Sequence, residues 1–199
     1  MLFWPGRNEN ATPYSGSHVK KIYVPKIYKS ENQTAYDCAV LKTQNALGKT
    51  TGYFGIRKQA KDYGSIVVCI PGYPAEYSKQ MWKAKGSIAG SSQNLFSYKL
   101  STSAGQSGSP ITRVYYGQWY ALGVHTTGAE SVNIGTRFGN YLYNFVKIIY
   151  AFLTIFLYLL KCPQSLILSA LRAFCFCGKP HISRSIFLYF LYQTWLKSW

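Results

Sequence analysis

The feature that most constrains this chain is the length and spacing of its apolar runs. Over residues 1–140 they are short and rich in β-branched and aromatic side chains. Clusters of Gly, Pro, Asn and Ser separate them. Runs of that length suit strands, and the clusters supply turns. Strands are predicted at 20–24, 38–42, 65–70, 86–89, 95–100, 111–116 and 119–125. No helical period intervenes, so this region reads as all-β, a barrel or a sandwich.

The pattern changes near residue 140. Before that point lie 16 Lys/Arg and all 6 acidic residues; after it lie 6 Lys/Arg and no acid. Leu142, Phe145, Ile149 and Phe152 recur at helical spacing, which predicts a closing helix packed on the β domain. Residues 141–160 carry one charge, Lys147, and are long enough to span a bilayer if that side chain reaches the interface. Two further apolar stretches, around 165–177 and 185–195, are short for a span. The expected organisation is a β domain over 1–140, a helix over 141–160 with membrane contact as one option, and an apolar basic tail over 161–199.

A net charge of +16 favours anionic partners. The lysines and arginines are scattered, with no long run and no recognisable nucleic-acid-binding motif, so nucleic acid is not the expected partner. The five cysteines, Cys38, Cys69, Cys162, Cys175 and Cys177, form no CxxC pair, so no metal site is expected. Cys38 and Cys69 suit buried apolar positions on strands. The stretch "MLFWPGRNEN" is not a signal peptide, because its apolar run is short and no basic residue precedes it. Asn10 and Asn32 start sequons that matter only in a eukaryotic secretory pathway.

One loop carries chemistry. "STSAGQSGSP", residues 101–110, has the composition of a flexible linker, but linkers rarely join two strands of a compact β domain. A nucleophilic serine needs a base for its hydroxyl, backbone N–H donors for the developing oxyanion, and a tight loop to hold both. Gly105 and Gly108 flank Ser107 and permit such a turn. The amides of Gly105 and Ser107 can then aim at one point as an oxyanion hole. The loop is not the G-x-S-x-G elbow, since residue 109 is Ser and strands flank it.

Two other residues fit the same chemistry. Asp37 opens an apolar strand in "YDCAVLK", where Asp is depleted; a turn-capping role is the plain alternative. It precedes Ser107 by 70 residues, in the Asp-then-Ser order of one protease group. His125 ends the strand after the serine loop in "ALGVHTTG". By itself that is an ordinary surface or core histidine.

Taken together, the pieces resemble the glutamyl endopeptidases, chymotrypsin-like serine proteases of the Bacillus and Staphylococcus type. The resemblance runs over roughly residues 5–150. It rests on "PGRN", "KKIYVPKIY", "YDCAVLK", "GYFG", "GYP", "MW", "STSAGQSGSPI", "GVHT" and "NIGTR", in that order. It implies a double β-barrel whose first barrel is incomplete here, followed by a closing helix and an apolar helical tail. It implies Ser107 as nucleophile and Asp37 as the triad acid, with no cofactor. It also implies His125 and Thr102 as the residues that bind the substrate glutamate. A hydroxyl and an imidazole can both donate to a carboxylate, and a protonated imidazole adds charge. The partners implied are protein or peptide substrates with glutamate at the cleaved position, and the location implied is secreted.

One departure bears on activity. The family's general base is a His in an "AAHC"-like segment upstream of "PGRN", and this chain holds only His18, His125 and His181. His18 precedes Asp37 by 19 residues, too few for the intervening strands of a first barrel. His125 belongs to the pocket and His181 to the tail. The expectation is therefore an N-terminally truncated protease with impaired catalysis. The alternative is a non-catalytic, membrane-associated β domain that binds acidic peptide segments.

Overall fold

The computed structural model describes residues 1–58, 64–77, 79–128 and 131–159. The expected tail over 161–199, with Cys162, Cys175, Cys177 and His181, lies outside the described residues.

Ten strands and three α-helices make up the described chain. Strands β1 (Leu2–Phe3), β2 (Ser17–Tyr23) and β3 (Val40–Thr43) form an antiparallel three-stranded sheet in that order. The rest of the strands are β4 (Gly55–Ile56), β5 (Val67–Gly72), β6 (Trp82–Ser91), β7 (Leu95–Tyr98), β8 (Pro110–Tyr115), β9 (Gln118–Thr127) and β10 (Asn133–Arg137). Six of these run β10-β7-β6-β5-β8-β9, and β10 also pairs with β9, so the sheet closes into a barrel. Closure removes free edges. β4 adds to the outside of β9 in parallel. The helices are α1 (Lys26–Glu31), α2 (Gly48–Thr51) and α3 (Asn140–Leu159).

Alternation along the barrel strands builds its core. Val68, Ile70, Ile88, Phe96, Tyr98, Ile111 and Leu122 point inward and pack as one cluster. A second cluster joins the two sheets: Cys38 packs with Ala121, Val124, Phe138 and Leu142. A third sets Val40 of β3 against Val146 and Ile149 of α3. Helix α3 therefore wedges between the barrel and the small sheet.

All seven expected strands are present, with shifted ends. β5 starts at Val67 because Ser65 sits in a turn with φ +64°. Three strands went unpredicted. β1 and β4 have two residues each, and the short β10 carries a glycine, Gly135, at its centre. The option of membrane contact over 141–160 finds no support. Among the described residues no helix is long and apolar enough to cross a membrane. Leu142, Val146 and Ile149, at helical spacing, are covered by protein.

Candidate active site

The serine loop connects β7 to β8, with one side against residues 73–76 and the other against the end of β9. Residues 103–109 fold back through two short turns: the amide of Gln106 donates to the Ser103 carbonyl, and the amide of Ser109 donates to the Gln106 carbonyl. The buried Gln106 side chain closes the first turn by accepting from the Ser103 amide at 2.7 Å. Gly105 and Gly108 have φ of +91° and +88°, a region that side chains with a Cβ rarely adopt.

Both flanks are anchored. The Ala75 amide donates to the Ala104 carbonyl, and the Ser103 hydroxyl donates to the Glu76 carboxylate at 2.8 Å. On the other flank the Gly108 amide donates to the His125 carbonyl, and the His125 amide donates to the Ser109 carbonyl, each at 2.8 Å. Gln106, Gly108 and Ser109 thus each spend their amides on the chain. Among the described residues the amides of Gly105 and Ser107 donate to no protein acceptor. These two donors lie on either side of Gln106 and remain without a protein acceptor. The Ser107 side chain is exposed and rests its hydroxyl on the Thr126 carbonyl at 3.2 Å.

Asp37 follows a 3-10 turn, Thr34–Tyr36, and precedes β3. Thr136 of β10 donates to the Thr34 carbonyl at 2.8 Å, which ties the turn to the barrel. The carboxyl is half-buried, and burial raises its pKa above the ordinary value. A hydrogen bond from the Tyr28 side chain works against that rise. The neighbouring Cys38 thiol is pushed up to about 12 by burial, with the Asp37 charge adding in the same direction. Cys38 is therefore a protonated core residue rather than a nucleophile.

His125 is 2% exposed. Its Nδ1 lies 2.6 Å from the Tyr98 hydroxyl across the barrel core. Tyr98 was not among the expected site residues, because two core positions 27 apart in sequence give no local signal of contact. Burial lowers the imidazole pKa, so the unliganded ring favours its neutral form. This shifts the expected role of His125 from charge towards N–H donation. Thr102 lies just before the loop turns. Its hydroxyl oxygen is buried with no protein partner among the described residues. A Cβ at Gly128 would lie 4.0 Å from that oxygen and 3.3 Å from the Asn133 amide oxygen. Gly128 is three residues past His125, so Thr102 lines the wall that β9 continues.

His18 lies on β2, exposed, opposite Leu2. Asp37 sits beyond the other end of this strand pair, where Tyr23 faces Val40. Five residues of strand separate His18 from Tyr23, about 16 Å at the usual rise. Among the described residues no group of three or more His, Cys, Asp or Glu is placed to hold a metal ion.

A closed barrel beside a second β-sheet, with a serine loop bound to the end of one barrel strand, defines the class of chymotrypsin-like serine proteases. Solved structures agree. A Glu endopeptidase in complex with MPD superposes with TM-score 0.69 at 27% identity, over 75% of this chain and 71% of that one. The protease Anisep from Arthrobacter nicotinovorans superposes with TM-score 0.61 at 22% identity, over 72% of this chain and 71% of that one, a likeness of fold. Within the class, the chain is a homologue of the glutamyl endopeptidases. The glutamyl endopeptidase of Bacillus licheniformis is 33% identical over 142 residues, 67% of this chain and 45% of that protein. An extracellular metalloprotease of Bacillus subtilis is 30% identical over 147 residues, 72% of this chain and 47% of that protein. The chain thus spans a little under half the length of both relatives. No protein-family model matches it.

Proposed function

We propose that this chain carries the nucleophile half of a secreted serine endopeptidase that cleaves peptide bonds after glutamate. One observation carries the reading: Gly105 and Ser107 keep their amides unspent, while the amides of Gln106, Gly108 and Ser109 around them are used, beside an exposed Ser107 hydroxyl. The Ser107 oxygen attacks the peptide carbonyl, and its proton passes to a base. The tetrahedral oxygen is held by the two amides. The C–N bond then breaks with the proton delivered to the leaving amine, and water hydrolyses the acyl-enzyme by the reverse sequence. Asp37 orients the base. His125 and Thr102 receive the glutamate side chain, one as a ring N–H donor and the other through its unpartnered hydroxyl.

None of the described histidines takes the base position in this reading. His125 engages Tyr98 through Nδ1, and His18 lies at the far end of its strand pair from Asp37. The 199 residues by themselves should then turn over slowly, with roughly 10³–10⁴-fold acceleration over water from the oxyanion hole and binding. Secretion is supported by the extracellular name of one Bacillus relative.

A fluorophosphonate probe tests the reading. Slow, stoichiometric labelling at Ser107, lost in Ser107→Ala, is the expected result. Folded protein that resists the probe, or labelling that survives the substitution, overturns it.

A further inference from the structure

The Tyr98–His125 pair lies in the barrel core yet joins two polar groups, and the barrel is built to let them meet. Tyr98 is fully buried at the end of β7, and Asn133 faces it on β10. His125 faces Gly135 on the same closing strand, where the register shifts by a bulge between Ile134 and Gly135. Bulges re-aim the side chains next to them. A Cβ at Gly135 would collide with Ile111 and lie 3.0 Å from the Tyr98 hydroxyl and 2.9 Å from the Val124 carbonyl. The missing side chain thus leaves the Tyr98 hydroxyl its place beside the imidazole. Burial pushes the phenol above its ordinary pKa, which keeps it a proton donor.

We propose that Tyr98 is a positioning residue, whose hydroxyl donates to Nδ1 of His125 and so fixes the ring as the Nε2–H tautomer, presenting a neutral N–H to a substrate carboxylate. A neutral imidazole has one donor nitrogen and one acceptor, and the partner at one nitrogen decides which is which. Among the described residues the His125 side chain forms a single hydrogen bond, at Nδ1. Nε2 is therefore the atom left for a ligand. The inference rests on the reading of this pocket as the glutamate site.

Nitrogen-15 histidine spectra of the full chain test it, with His125→Gln identifying the signal by its loss. The expected result at neutral pH is an acceptor-type Nδ1 and a protonated Nε2. In Tyr98→Phe both tautomers should become populated. Affinity for an acetylated, amidated peptide with a single glutamate should fall about tenfold, while the glutamine counterpart changes little. An Nδ1–H tautomer in the wild type overturns the proposal. So does a folded Tyr98→Phe with an unchanged single tautomer and unchanged affinity. If Tyr98→Phe does not fold, as judged by near-ultraviolet circular dichroism, the wild-type tautomer decides. A wild type that keeps the Nε2–H form but does not prefer the glutamate peptide supports the positioning role and overturns the pocket reading instead.

Discussion

The closed barrel and the three-stranded sheet are made of similar residues but solve different problems. Every barrel strand from β5 to β10 has at least two neighbours, and seven large side chains fill the interior to 2% exposure or less. The small sheet buries Val40 and Leu41 on β3, but β2 leaves Ile22 51% exposed and β1 leaves Leu2 42% exposed. The barrel holds the serine loop and the pocket. The sheet's approach to β3 holds Asp37. The difference teaches that the residues assigned to one reaction stand on supports of unequal strength, joined by Cys38 and the buried face of α3.

Substitutions that separate the two supports should rank accordingly. Phe96→Ala empties the centre of the barrel and should cost about 3–5 kcal/mol, read as a shift in the urea midpoint. Val146→Ala, on the helix face between the supports, should cost about 1–2 kcal/mol. Its loss should speed amide hydrogen exchange in β2 and β3 more than in β8 and β9; equal acceleration in both would erase the distinction.

The pH dependence is a smaller effect. Below the ordinary imidazole value of 6.5, the unfolded chain binds a proton that buried His125 resists. The unfolded state then holds more protons, so stability is present above 6.5 and is lost as pH falls from 6.5 towards the depressed folded value. His125→Gln should flatten that slope in urea titrations. Asp37 has the opposite sign: its raised folded pKa makes ionisation above 3.8 cost stability. The difference between wild type and His125→Gln isolates the imidazole. At the bottom of the ranking, Ile22→Ala on the exposed sheet should stay within about 0.5 kcal/mol of wild type. A larger loss would show that this face is covered.

Much of this was legible in the sequence. Short apolar runs bounded by Gly, Pro, Asn and Ser exposed the main strands, since runs such as 111–116 and 119–125 carry Ile111 and Leu122, which the barrel buries. The glycine spacing around Ser107 marked a strained loop, and φ of +91° and +88° at Gly105 and Gly108 is what that spacing allows. The closing strand β10 was not legible as a strand, because Gly135 weakens its pattern for a reason that exists only in the folded barrel. The Tyr98 partnership was hidden likewise. Helix α3 was legible as a helix, but a helical stripe of apolar residues suits lipid and protein equally until its neighbours are known.

Gly135 ties these threads together in a way that mutation can probe. The same vacant volume serves Ile111 in the hydrophobic interior and Tyr98 beside His125, so a methyl group there crowds both at once. Gly135→Ala should therefore lower stability by about 1–3 kcal/mol and disturb ligand selection together. For this barrel, the fit of its packed centre and the proposed aim of its buried imidazole hang on one absent carbon.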